Sequence, residues 1–151
     1  MESHIFQIPK DAEATNPGVM WLTLGSPLVQ PYLAYYPNQE DAIDEVKNET
    51  NDPEKDKSHY WMAMDTLHMV EANRDEFMKD ISPEIDKFEK EQIANTKISG
   101  ENDPTKTNNE NAKKAFDLLK GFNKDLEGKY KDYLKENDYK YTFYGRRDTE
   151  N

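Results

Sequence analysis

The stretch GVMWLTLG, residues 18–25, decides the reading of this chain. Eight residues is a strand length, a glycine stands at either end, and only Thr23 inside it is polar. An uninterrupted apolar run of that length is expected of a strand covered on both faces. Just upstream, residues 3–8 (SHIFQI) are short and rich in bulky apolar side chains, and Pro9 ends them by withholding a backbone donor. The polar residues 10–17 close on Asn16-Pro17 and read as a turn, so the two segments are expected to form an antiparallel β-hairpin. Residues 26–38 hold three prolines, the tyrosines Tyr32, Tyr35 and Tyr36, and no charge, which reads as a packed irregular segment.

The character changes at Gln39. Residues 39–57 carry eight acids against three lysines, a solvated connector. Ser58 is placed to cap a helix over 58–81 whose apolar stripe would be Trp61, Met64, Leu67, Val70 and Phe77. Ser82-Pro83 reads as a cap and first-turn proline restarting the helix, with Ile85, Phe88 and Ile93 as sparse contacts. Residues 95–111 form a break. A last helix is expected over 111–136, with Phe116, Leu119, Phe122, Leu126, Tyr130 and Tyr133 at helical spacing, followed by a tail with a short strand. The expected organisation is a buried strand pair with its Pro/Tyr-rich segment (1–38), the connector (39–57) and a helical region (58–151). The fold class is α+β.

Composition narrows function. Leu, Ile, Val and Phe together supply only 26 of 151 residues, and with net charge −11 this approaches the signature of disorder. Seventeen aromatic residues argue the other way, so a folded protein with a thin core and long solvated helices is expected. The negative charge and a mere three arginines (Arg74, Arg146 and Arg147) speak against nucleic acid as a partner, since such affinity comes largely from cations displacing counterions. No apolar run reaches membrane-spanning length and no leader is visible at the N-terminus, so a cytoplasmic protein is expected. The absence of cysteine removes a disulfide framework, a thiolate metal site and a thiol nucleophile.

The residues converge on no active site. His4, His59 and His68 show no i, i+4 pair and no zinc-binding pattern. His59 is expected on the surface in a first helical turn, His68 on a helix flank, and His4 as a hydrogen-bonded strand residue. Glu84, Asp86, Glu89 and Glu91, interleaved with Lys87 and Lys90, read as a solvated helix face. There is no phosphate loop and no G-x-S-x-G elbow, and the sequon at Asn48 carries no weight without an export signal. Trp21 with Tyr32, Tyr35 and Tyr36 would suit a substrate pocket, but core packing is the stronger reading. No catalytic residue, metal ligand or cofactor is assigned.

One block resembles a known family. SHIFQI, a polar turn, and GVMWLTLGSPLVQPYLAYYPN are similar to the C-terminal half of bacterial cysteine-type dipeptidases of the N-terminal-nucleophile hydrolase superfamily. The similarity falls on His4, Ile5, Gln7, Met20, Trp21, Leu24, Gly25, Pro27, Pro31, Tyr35 and Tyr36, and SHYWMAM (58–64) resembles the helix start that follows in the family. The resemblance implies a stacked αββα fold, here only a partial sheet, and hydrolysis of dipeptides by an N-terminal cysteine whose α-amino group serves as base. This chain begins Met1-Glu2-Ser3 and contains no cysteine, so it is expected to be inactive alone, with a dipeptide substrate only in a full-length parent. A sheet cut in this way leaves an exposed edge, and self-association through it is expected. The competing readings are a non-enzymatic acidic helical module that binds a basic partner, and an intact hydrolase built on carboxylates or serines, for which nothing convergent is visible.

Overall fold

The computed structural model describes residues 2–13, 18–47, 58–97 and 103–137. Strands β1 (Glu2–Gln7) and β2 (Val19–Leu24) pair antiparallel, from Glu2 opposite Leu24 to Gln7 opposite Val19. The flanking glycines are required by backbone geometry. Gly18 and Gly25 take φ of 104° and 116°, and a Cβ at Gly18 would strike the Gln7 carbonyl oxygen. A third strand, β3 (Leu33–Tyr35), pairs antiparallel with β2 and sets Trp21 opposite Ala34, giving the order β1-β2-β3. Residues 26–38 are therefore not wholly irregular. Prolines at 31 and 37 leave room for only a short strand between them, too short to show an alternation in sequence.

Alternation sends Met20, Leu22, Leu33 and Tyr35 to one face of the sheet, where Ala112, Ala115 and Phe88 of the helices meet them. Val19, Trp21, Ala34 and Tyr36 cluster on the other face. There the Tyr32 hydroxyl reaches Ser3 Oγ at 2.7 Å. Because β2 lies between β1 and β3, that side chain must cross over Thr23, which is 1% exposed. β2 is thus covered less completely than its apolar run implies: Val19 and Thr23 are buried, but Met20, Trp21, Leu22 and Leu24 are half-buried.

Helix α1 (Asp44–Lys47) is a single turn inside the acidic connector, whose remaining residues 48–57 lie outside the described residues. Helix α2 (His59–Ala72) starts where the cap signal put it, with Ser58 Oγ accepting from Trp61 N at 3.3 Å. It ends earlier than expected. Asn73 leaves helical geometry at φ −152° and ψ 78°, and α3 (Arg74–Asn95) then runs unbroken through Ser82-Pro83. Pro83 removes one ladder donor, yet Ile81 and Ile85 on either side of it are buried, and their packing outweighs that loss. Helix α4 (Pro104–Asn137) begins seven residues before the expected start. Asp103 caps it, its Oδ1 accepting from Lys106 N at 3.0 Å, with Pro104 in the first turn.

The main core lies between helices: Ala63, Leu67 and Val70 of α2, Phe77 and Ile81 of α3, Leu119, Phe122 and Leu126 of α4. The stripe read on α4 faces this core from Leu119 to Tyr130 and in part at Tyr133, while Phe116 is buried beside His59. On α2 the face is rotated: Trp61 and Met64 are half-buried, and Ala63 and Thr66 are inside instead. On α3, Ile93 is 65% exposed and the neighbouring Gln92 is buried. The tail strand expected beyond the last helix lies outside the described residues.

The two edges of the sheet differ. Along the outer side of β3, Glu89 Oε1 accepts from Tyr32 N (2.9 Å), while Gln92 accepts from Ala34 N and donates to Tyr32 O (both 3.0 Å). Oriented to donate to Ala34 O and accept from Tyr36 N, both at 3.0 Å, Asn108 of α4 continues the row. Side chains have taken the place of a fourth strand. β1, the opposite edge, has no strand beyond it among the described residues.

Candidate functional site

Helix periodicity brings two stripes together in a groove. Trp61, Met64, Asp65 and His68 recur at i, i+3, i+4 and i+7 along α2, and Asn123, Glu127, Tyr130 and Lys131 recur similarly along α4. With Met69 and Lys124 they line a cavity of about 420 Å³, in the size range of small-ligand sites. Across it the Tyr130 hydroxyl and His68 Nε2 stand 2.7 Å apart. Lys131 donates to Glu127 at 2.6 Å, and its ammonium holds that carboxyl below the usual range. Asn123 anchors the wall, donating to Met62 O (3.2 Å) and accepting from Thr66 Oγ1 (2.7 Å). Among the described residues the lining holds no serine, threonine or cysteine and its hydroxyl is that of Tyr130, so the groove offers hydrogen bonds and apolar surface but no thiol.

The histidines fall in three environments. His4 is exposed on β1, its Nδ1 3.9 Å from the Glu2 carboxylate and its ring against Phe6, rather than held by a strand hydrogen bond. His68 is half-buried and joins Tyr130, which a helix-flank reading accommodates. His59 overturns the surface expectation. It is 1% exposed beside Phe116, and neither ring nitrogen has a hydrogen-bond partner among the described residues. Burial pushes its pKa down to about 4, so the ring is neutral at pH 7. Among the described residues no group of three or more His, Asp or Glu is placed to hold a metal ion.

The aromatic residues singled out in the sequence are divided by the sheet. Tyr35 points into the helix-covered face, where burial raises its hydroxyl to about 12. Trp21, Tyr32 and Tyr36 belong to the other face, with Trp21 Nε1 donating to Gln7 Oε1 at 3.1 Å. They lie over that face of the sheet.

The model of Peptidase family C69 matches residues 1–91 of this chain, which is β1, β2, β3, α1, α2 and most of α3. The chain belongs to that family. It is similar to a "Probable dipeptidase B" of Streptococcus pyogenes serotype M1, with 39% identity over 94 residues, covering 62% of this chain and 19% of that protein. It is also similar to the "Probable dipeptidase B" of Streptococcus pyogenes serotype M6, at 40% over 95 residues with the same coverage. The chain thus spans about a fifth of the length of the relatives it matches. The C69 match contains the residues on which the resemblance rested, from His4 on β1 to the start of α2. It stops short of α4, so the groove has one wall inside the family's sequence and one outside it. The groove was not legible beforehand, because Trp61 and Met64 read as core and only the packing of α4 turns them outward.

Proposed function

We propose that this chain corresponds to the C-terminal portion of a cytoplasmic cysteine-type dipeptidase. In this reading it supplies three strands and one helical layer of an αββα N-terminal-nucleophile hydrolase, and it does not hydrolyse dipeptides by itself. The observation that carries the proposal is a C69 match over residues 1–91 in a sequence without cysteine. Three strands backed by helices on one face and carrying an aromatic cluster on the other suit a sheet that packs on a second sheet. In this reading hydrolysis needs a thiol nucleophile with a base within hydrogen-bond reach of it, and the sequence contains no cysteine.

Two measurements test this. The purified chain, assayed against a panel of dipeptides, is expected to show no turnover above buffer; activity that survives a second purification step overturns the inactivity. A chimaera in which residues 2–95 of this chain replace the matching segment of a streptococcal relative is expected to hydrolyse dipeptides. A chimaera that folds, judged by circular dichroism and a cooperative melt, but has no activity counts against the dipeptidase reading.

A further inference from the structure

Four large apolar side chains stand exposed among the described residues, and three of them lie on β1 or just after it: Ile5 at 55%, Phe6 at 62% and Ile8 at 68%. Ile5 and Phe6 point to opposite faces of the sheet, so no single covering layer hides both. Natural edge strands are blunted by lysine, proline, bulges or inward charge. Between Glu2 and Gln7 there is no lysine, no proline and one acid at the end. β3 shows the opposite treatment, its outer N–H and C=O groups taken up by Glu89, Gln92 and Asn108.

We propose that β1 pairs edge to edge with β1 of a second copy of this chain, making one continuous six-stranded antiparallel sheet across a twofold axis. A second copy is the occupant the observations favour for two reasons. With one edge sealed and one open among the described residues, pairing closes after two chains instead of growing into a filament. Three strands become six, within the usual size of a stable sheet, where three were fewer than the mode.

The twofold axis restricts the register, and side-chain pairing selects among the registers it allows. An axis perpendicular to the sheet keeps each face continuous, so residues facing each other across it have the same parity. Centring it on Ile5 overlaps residues 2–8 of both strands. Ile5 then meets Ile5 of the second copy, His4 meets Phe6, and Ser3 meets Gln7. The cross-strand pairs are apolar with apolar, aromatic with aromatic, and polar with polar, the pairings that stabilise a ladder. This assignment does not depend on the dipeptidase reading, since it needs only the exposed edge.

The test uses the whole chain. Light scattering after size exclusion at micromolar concentration is expected to give twice the 17.7 kDa of one chain. Ile5→Lys and Phe6→Lys, both at exposed positions, are expected to give monomers with an unchanged circular dichroism spectrum. Because the chain has no cysteine, single cysteines report register directly. Ile5→Cys is expected to form an intermolecular disulfide on mild oxidation. Ser3→Cys is expected to cross-link several-fold less, since its counterpart is displaced by about 13 Å along the strands, beyond disulfide reach. If the lysine variants unfold, the cysteine pair alone carries the test. A monomeric parent chain overturns the proposal, as does a dimer that survives both lysines, or equal cross-linking at positions 3 and 5. A monomer that co-elutes with the remaining portion of a streptococcal relative assigns the edge to that polypeptide and overturns the second copy.

Discussion

The carboxamide of Gln92 holds the main chain around Ala34: its oxygen accepts from Ala34 N and its nitrogen donates to Tyr32 O, each at 3.0 Å. In sequence the two residues are 58 apart. Gln92 is 6% and Ala34 1% exposed, so the Ala34 N–H has no water as an alternative, while Tyr32 is half-buried. One side chain on α3 thus imitates a parallel β-bridge to Leu33 and ends the sheet.

Removing that carboxamide strands a buried donor and a partly buried acceptor. Gln92→Leu is expected to cost roughly 2–4 kcal/mol, since each stranded group costs about 1–3 kcal/mol. Urea unfolding measures it, and a midpoint unchanged from the parent would mean that β3 finds other partners at no cost.

His59 should make the protein sensitive to mild acid. Its folded pKa of about 4 lies below the ordinary 6.5, so above pH 6.5 both folded and unfolded chains carry a neutral ring and the stability is fully present. Between 6.5 and 4 the unfolded chain binds a proton that the folded one refuses, and stability falls as pH falls, reaching its floor below 4. From pH 7 to pH 5 this group alone contributes a loss of roughly 2 kcal/mol. The check is denaturant unfolding at both pH values for the parent and His59→Leu. The variant is expected to lose less by about that amount, and parallel losses in the two proteins would refute the assignment.

Core and groove aromatics should separate under truncation. Phe122 is 6% exposed among Leu119, Leu126 and the α2 face, and Phe122→Ala is expected to cost about 3–5 kcal/mol. Trp61 is half-buried at the groove, so Trp61→Ala is expected to cost less than half as much. Equal losses would place Trp61 in the core after all.

Pro83 lies inside the continuous helix α3 at an exposed position. Pro83→Ala restores the N–H that the Lys79 carbonyl lacks and removes the ring clash. Against a helix penalty of about 3 kcal/mol for proline stands a gain of unfolded-chain entropy near 1 kcal/mol, so a net stabilisation of about 1–2 kcal/mol is expected. A lower melting temperature in the variant would show that the proline geometry is required.

The sequence by itself determined the elements whose signals are local. Glycines 18 and 25 bound β2, Ser58 caps α2, and the apolar spacing from Phe116 to Tyr130 marks the buried face of α4. The C69 block was also legible, because a long run of particular residues survives without reference to contacts. Even some local signals were outweighed: Asp103-Pro104 is a sound helix start that the polar run 95–111 obscured, and Pro83 is a stop that Ile81 and Ile85 override by packing.

Only the tertiary structure decided which face of α2 is inside, that a glutamine and not Ile93 is buried near the end of α3, and that His59 is desolvated. Each depends on what lies across the interface. A side chain's burial is fixed by the element packed on it, and α4 reaches α2 from more than forty residues away in sequence. The same reason explains the two edges of the sheet. β1 read as a strand and β3 lay within a segment read as irregular, yet β3 is closed by Gln92 and its neighbours while β1 has no strand beyond it among the described residues, and no local pattern in either announces this.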